Sequence, residues 1–174
     1  MSGQAGRYQR STAGLVGALV VSIAVIVGFV GLRGLLREEV AVTVPGVDYR
    51  TSLEYAREEA DFAVVGPPAL PAGWRATSVE FVPRPARWHL GVLTADEEYV
   101  GLEQARRPES SMVAAYIDPD AERGKPVTVE GQTWRSWSDA GGDTALVRMD
   151  GELVTLLVST APQPVLVDYA ASLS

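Results

Sequence analysis

The sequence predicts an α+β fold: an N-terminal transmembrane helix, then one small domain with a mostly antiparallel sheet of about six or seven strands and a helix at each end. The run at 13–32 contains no charged side chain, which predicts a membrane-spanning helix. Apolar side chains alternate with a period of two through much of the later chain, and have helical spacing on either side of that region. The predicted divisions are a short cytoplasmic tail at 1–12, the transmembrane helix at 13–32, a juxtamembrane linker at 33–47 and an extracytoplasmic domain at 48–174.

The uncharged run has the length of a membrane anchor. Its residues would extend over about 30 Å as a helix, the thickness of the hydrocarbon core of a bilayer. A cleavable signal peptide is the alternative, but its apolar region spans only about 7–15 residues. The segment that follows, Leu32-Arg33-Gly34-Leu35-Leu36-Arg37-Glu38-Glu39, offers no small-x-small cleavage site, and the absence of cysteine excludes a lipoprotein modification. The sequence therefore favours an uncleaved anchor that holds the chain in the lipid bilayer.

The charge distribution favours one orientation of this anchor. Arg7 and Arg10 precede it, whereas Arg33 and Arg37 follow it, so the positive-inside rule does not decide. All 22 acidic residues but only eleven of the 15 basic residues follow Arg37, so that part of the chain carries a formal charge of −11. An acidic domain is poorly suited to anionic lipid and to nucleic acid. We therefore expect a single-pass protein of the cell membrane with its N-terminus in the cytoplasm, its C-terminal domain outside, and no nucleic-acid partner.

Small residues recur within the anchor. Gly14, Ala18 and Ser22 are spaced by four positions, a pattern that lets two membrane helices approach closely. It is consistent with homodimerisation through this stripe. The same spacing arises by chance in a chain rich in glycine and alanine, and both interpretations stay open.

The domain begins with a predicted helix. Thr51 and Glu54 have the spacing of a capping box, and the helix is expected to end near Ala60. The apolar run at 62–65 then predicts a short strand, which stops at the turn residues Gly66-Pro67-Pro68.

Alternating patterns predict the sheet. Further strands are expected at 77–81, 88–92 and 99–102, whereas the pattern at 110–116 fits either a helix or a strand. A meander follows, in which Asp150-Gly151 is the strongest hairpin signal. Its strands are predicted at 127–129, 133–137, 144–149 and 152–159, and the closing helix at 165–173.

Few catalytic or metal-binding chemistries are open to this sequence. His89 is the only histidine and there is no cysteine, which excludes metal sites with several imidazoles and thiolate sites. The acidic run at 118–122 begins like a calcium loop, but Arg123 stands where such a loop requires glycine. Because no nucleophile or phosphate-binding motif occurs, we predict no catalytic residue, no metal and no cofactor. His89 fits a structural role better than a general base.

Tryptophans and arginines are the candidate ligand-binding residues. Aromatic and guanidinium groups together can line a groove for a glycan or a peptide, although core packing is the simpler role for a tryptophan. The candidates are Trp74, Trp88, His89, Arg84 and Arg87, and Arg106 and Arg107 could line the same groove. Paired carboxylates offer an alternative chemistry, hydrolysis of a glycan. The acidic residues that would serve it are Asp96, Glu97, Glu98 and Glu103.

Several landmarks occur in a characteristic order along the chain. They are Pro-x-Leu-Pro-x-Gly-Trp-Arg at 68–75, Trp-His-x-Gly at 88–91, Tyr-Val-Gly-Leu-Glu-Gln at 99–104 and Val-x-Gly-x-x-Trp at 129–134. Together with the N-terminal anchor, this order resembles the uncharacterised single-pass envelope family called domain of unknown function 4245, found in high-GC Gram-positive bacteria. The resemblance implies an extracytoplasmic C-terminal domain and carries no activity to transfer.

The function expected from the sequence is therefore a binding function in the cell envelope. We expect a membrane-anchored, non-catalytic domain that binds an envelope protein or a glycan outside the membrane. The alternative is a cell-wall hydrolase that uses carboxylates.

Overall fold

The computed structural model describes residues 46–174. The predicted tail, the transmembrane helix with its Gly14, Ala18 and Ser22 stripe, and all but the end of the linker lie outside the described residues. None of the helices formed by residues 46–174 combines the length and the apolar composition of a membrane span.

Three helices and eight strands make up the described part of the chain. The helices are α1 (Tyr49–Glu59), α2 (Glu109–Tyr116) and α3 (Gln163–Ala171). The strands are β1 (Arg75–Pro83), β2 (Ala86–Leu93), β3 (Tyr99–Arg106), β4 (Glu122–Arg123), β5 (Val127–Val129), β6 (Gln132–Ser138), β7 (Thr144–Asp150) and β8 (Leu153–Ser159).

All the strands pair antiparallel in one sheet, which confirms the predicted α+β class. The strand order is β1-β2-β3-β8-β7-β6-β4, and β5 pairs with β6 beside this path. Two meanders, β1-β2-β3 and β6-β7-β8, therefore meet at the pairing of β3 with β8. The sheet has eight strands rather than the predicted six or seven. The additional strand β4 has only two residues, too few to show an alternating pattern in the sequence.

The first face of the sheet carries the larger core. Trp88, Leu90 and Val92 project from β2 with no exposed area, as their alternation predicts. The helices α1 and α3 cover this face, for example through Leu53 and Leu166. Burying such side chains contributes about 1.5–3 kcal/mol each to stability, so this face supplies most of the hydrophobic stabilisation of the sheet.

The second face carries a smaller core under α2. Met112 and Val113 of this helix pack against Val154 and Leu156 of β8. The ambiguous pattern at 110–116 is therefore a helix. It covers the middle of the sheet, and a set of polar side chains from β1, β2 and β3 lies on the same face.

The first helix begins earlier than predicted. Asp48 is its N-cap, and the Asp48 carboxylate accepts a hydrogen bond from Arg50 N at 3.1 Å. The interpretation of Thr51 as the capping residue is therefore wrong, because Asp48 precedes it with the same capping chemistry. The predicted end is confirmed, since Ala60 is the C-cap.

The strand predicted at 62–65 is absent, because a side chain takes the place of a neighbouring strand. The buried Gln104 amide accepts from Val65 N at 2.8 Å and donates to Ala63 O at 3.3 Å. Gln104 also donates to the Thr155 hydroxyl at 3.1 Å. An extended segment satisfied in this way needs no strand partner.

The last hairpin confirms the predicted turn with a shift of one residue. Asp150 pairs with Leu153, so Gly151 and Glu152 form the turn. Gly151 has φ of 59° at the first turn position, where type II′ turns place glycine.

Candidate functional site

A row of three polar side chains crosses β1, β2 and β3 on the second face. The Ser78 hydroxyl lies 2.8 Å from His89 Nε2. On the other side of the ring, His89 Nδ1 pairs with Glu103 Oε1. Glu103 and His89 are directly opposite in the β2–β3 register. We call these side chains the Ser78–His89–Glu103 row.

An irregularity of β1 aligns the serine with this row. Ala76 pairs with Val92 and Ser78 with Gly91, so Thr77 is an extra residue in β1. Such a bulge shifts the facing of the residues that follow it. Ser78 therefore lies over Gly91, diagonally across from His89.

Glycines form the floor beside the row. A Cβ atom built on Gly91 would overlap the Ser78 hydroxyl and would lie 3.1 Å from the Tyr99 hydroxyl oxygen. A Cβ on Gly101 would lie 2.9 Å from that same oxygen. The Tyr99 ring thus packs over Gly91 and Gly101, which have no side chains. Its hydroxyl and that of Ser78 both lie at the space above the Cα atom of Gly91.

The acid of the row is deeply buried and incompletely hydrogen-bonded. The Glu103 side chain is 3 % exposed, whereas that of His89 is 20 % exposed. Glu103 Oε2 has no hydrogen-bond partner within residues 46–174. Burying a carboxylate oxygen without a donor is costly, so a strong interaction with His89 is needed to retain it there.

Two tyrosines adjoin this carboxylate. Burial raises the pKa of both Tyr99 and Tyr116, and the negative charge of Glu103 raises it further. The positive charges of Arg87 and Arg107 partly lower the pKa of Tyr116. Both phenols are thus neutral hydrogen-bond donors at neutral pH.

These raised pKa values predict a loss of stability in alkali. The unfolded chain releases its phenolic protons near the ordinary pKa of about 10, whereas the folded chain holds them to higher pH. The unfolded state therefore binds fewer protons above pH ~10, and stability falls as the pH rises further. Phenolate absorbance at 295 nm should show late-titrating groups, two of which disappear in Tyr99→Phe and Tyr116→Phe. Titration of both at the ordinary tyrosine pKa would contradict the burial argument.

A cleft of about 800 Å³ lies at the end of the sheet where β1 turns into β2. We call it the arginine cleft. It is lined by Glu59, Asp61, Val82, Pro83, Arg84, Pro85, Ala86, Arg87, Ala105, Arg106 and Arg107. It therefore gathers four arginines and two acidic residues.

The arginines of the cleft differ in their partners. Arg106 pairs with Asp61, and Arg87 pairs with Glu80 at 2.7 Å. Within residues 46–174, neither Arg84 nor Arg107 forms an ion pair. Two guanidinium groups in the cleft thus remain available to an anion.

The structure divides the five predicted ligand-binding residues among three places. Arg84 and Arg87 line the cleft, and His89 lies in the polar row. Trp88 is buried in the first core, while Trp74 stacks on Tyr169 with ring centroids 5.7 Å apart. Neither tryptophan lines the cleft.

The acidic residues that could serve hydrolysis are separated. Asp96, Glu97 and Glu98 lie in or beside the β2–β3 turn, where Glu97 pairs with Arg75. Glu103 lies five residues along the chain from Glu98, so their Cα atoms are about 16 Å apart in an extended chain. Asp118, in the acidic run, accepts a hydrogen bond from Asp120 N at 2.7 Å. Within the described residues no group of three or more metal-ligating side chains occurs.

Ser78 and the two tyrosines are not among the candidates that the sequence identifies. Glu103 stands out there only as one acidic residue near a hairpin. The alternation of β2 and β3 places His89 and Glu103 on one face, which is a usable signal. No comparable signal marks Ser78, because the bulge that aligns it depends on the β1–β2 register.

Comparison with known proteins gives one match. A family model described as "Protein of unknown function (DUF4245)" matches residues 7–173. No curated protein and no solved structure matches the chain.

Proposed function

The chain belongs to the DUF4245 family of proteins of unknown function, and we propose its role from its own geometry. It is a membrane-anchored protein whose C-terminal domain lies outside the membrane. That domain binds a small anionic ligand in the arginine cleft. The uncharged run at 13–32 supports the anchor. The acidic character of the rest of the chain supports an outside location, away from anionic cytoplasmic lipid.

The gathering of four arginines is the observation that carries this proposal. The chain after Arg37 has a formal charge of −11, so a local cluster of positive charge is unexpected on its surface. Arg84 and Arg107 have no ion-pair partner among residues 46–174. Unpaired guanidinium groups that share a cleft favour an anion, because each presents a planar fork of donors.

The chemistry of the cleft defines the ligand class. Guanidinium forks bind carboxylate and phosphate groups in the same bidentate manner. The volume of about 800 Å³ lies within the range of small-molecule sites. The acidic surroundings repel a long polyanion, which favours a compact ligand with one or two anionic groups.

A carboxylate-dependent cell-wall hydrolase has less support. Glu59 and Asp61 do line the cleft, but Asp61 pairs with Arg106. A carboxylate oxygen engaged by a guanidinium group is not free to contact a substrate. Within residues 46–174 this leaves Glu59 as the one unpaired acid of the cleft, whereas hydrolysis of a glycan needs two carboxylates.

Calorimetric titration tests the anion proposal. The full-length chain in a nonionic detergent is titrated with citrate and, separately, with pyrophosphate, so that carboxylate and phosphate ligands are distinguished. We expect saturable binding of at least one probe, weakened by added salt. The double variant Arg84→Glu/Arg107→Glu should bind at least tenfold more weakly.

Arg50→Glu is the matched control. It reverses the charge of an exposed arginine in α1, nine positions and about 14 Å along the helix from Glu59. Binding should be unchanged in this variant. If neither probe binds, or if the double variant binds as tightly as the control, the proposal is wrong.

A further inference from the structure

The Ser78–His89–Glu103 row has the arrangement of an activated nucleophile. Such a site needs a hydroxyl within hydrogen-bond distance of a base, and a third group that orients the base. Ser78 Oγ lies 2.8 Å from His89 Nε2, and Glu103 pairs with the opposite ring nitrogen. Each side chain contacts the atom that its role requires.

Burial decreases along the row from the carboxylate to the serine, as a nucleophile that must meet its substrate requires. Glu103 is buried and His89 is one-fifth exposed, while Ser78 is half-buried. Glu103 Oε1 pairs with His89, and Glu103 Oε2 makes no hydrogen bond of normal geometry within the described chain, so His89 is the main partner of this carboxylate. The carboxylate would stabilise an imidazolium formed when His89 takes up a proton.

A donor for a developing oxyanion lies beside the serine. The Tyr99 hydroxyl and Ser78 Oγ face the same spot above Gly91. Burial and the charge of Glu103 raise the pKa of Tyr99 and keep it protonated. A neutral phenol at this place can donate a hydrogen bond to an oxygen that becomes negative there.

We propose that Ser78 is a nucleophile that hydrolyses a carboxylic ester carrying an anionic group. Ser78 Oγ bonds to the ester carbonyl carbon while His89 Nε2 takes the hydroxyl proton, and Tyr99 donates to the resulting oxyanion. The bond to the alcohol oxygen then breaks, and His89 returns the proton to the leaving alcohol. A water molecule attacks the acyl-serine with His89 as base, which releases the carboxylic acid and restores the Ser78 hydroxyl. This proposal differs from the non-catalytic domain expected from the sequence.

The inference that the substrate carries an anionic group rests on the proposed function of the arginine cleft. Arg87 lies two residues from His89 on the same face of β2, about 7 Å along the strand. The charge of Glu103 raises the pKa of Tyr116 and that of Arg87 lowers it, so Tyr116 lies near both the row and the arginine cleft. Ser78 lies four residues along β1 from Val82, the nearest residue of the cleft on that strand, a Cα separation of about 13 Å. An anion held in the cleft can therefore present to Ser78 an ester at the far end of a chain of that length.

Covalent labelling tests the nucleophile. The full-length chain in a nonionic detergent is treated with a fluorophosphonate, which loses fluoride when a serine oxygen attacks phosphorus, and the adduct is mapped by mass spectrometry. We expect one adduct, on Ser78, absent in Ser78→Ala and formed at least tenfold more slowly in His89→Gln. The exposed Ser110 of α2 provides the control, since Ser110→Ala should label as the unmodified chain does. Tryptophan fluorescence checks that each variant is folded.

Ester hydrolysis separates this inference from the proposed function. Mono-p-nitrophenyl dodecanedioate, whose long chain can span the distance from the arginine cleft to Ser78, should be cleaved at least tenfold faster than its neutral methyl ester, and Arg84→Glu/Arg107→Glu should remove that preference. If Ser78 is not labelled, the nucleophile is wrong even when citrate or pyrophosphate binds in the cleft. If Ser78 is labelled and the two esters react equally, the anionic substrate class is wrong and the nucleophile stands.

Discussion

Replacing Trp88 with alanine should lower the free energy of unfolding of the domain by about 3–5 kcal/mol. Trp88 lies in β2 with no exposed area, inside the larger core. Its removal takes apolar area out of the core and leaves a cavity that the surrounding strands can fill only in part. Urea unfolding followed by fluorescence measures the change, because the remaining Trp74, Trp134 and Trp137 all lie in the same domain.

Tyr55 provides the matched control for this substitution. It is an aromatic residue that is 53 % exposed on α1 and touches Phe81 edge-on. Tyr55→Ala should cost about 1 kcal/mol or less, the range of an exposed aromatic pair. If Trp88→Ala costs no more than Tyr55→Ala, the core assigned to the first face is wrong.

Replacing His89 with leucine should cost about 3 kcal/mol, because it leaves the Glu103 carboxylate buried without its partner. The Glu103 side chain is 3 % exposed, and its second oxygen already lacks a donor within residues 46–174. The double variant His89→Leu/Glu103→Leu removes both polar groups and should recover at least half of that loss. Urea unfolding of the four members of this cycle at neutral pH gives the coupling free energy directly.

The double variant distinguishes two causes of instability. A stranded carboxylate predicts that the double variant is more stable than His89→Leu alone. A packing defect at the histidine predicts that the second substitution adds its own cost. An additive cycle would therefore contradict the dependence of the buried Glu103 carboxylate on His89.

Long, strictly periodic segments of the fold were predictable. The alternation of Trp88, Leu90 and Val92 predicts β2 with its buried face, and the apolar spacing at 165–173 predicts α3. The strand prediction at 62–65 was wrong because the backbone there hydrogen-bonds to the side chain of Gln104 instead of to another strand. That residue is 39 positions away from Val65, so no local pattern can reveal the contact.

The candidate site was predictable only where residue type was enough. Arg84 and Arg87 are identifiable because guanidinium groups suit ligands, and both line the cleft. Ser78 escapes identification because its position depends on an extra residue in β1. A lone histidine in a sequence is more often structural than catalytic. Only the strand register shows that Ser78 and Glu103 lie beside His89.

The joint between β3 and β8 has a consequence for how the domain folds. Each meander closes through short turns, whereas Leu102 finds its partner Leu157 only across the whole middle of the chain. Closing so large a loop costs conformational entropy before any contact at the joint repays it. We therefore expect the two meanders to form quickly and to dock onto each other in a later, slower step. The rate of that docking, rather than the formation of any single hairpin, should set the time in which the chain reaches its native state.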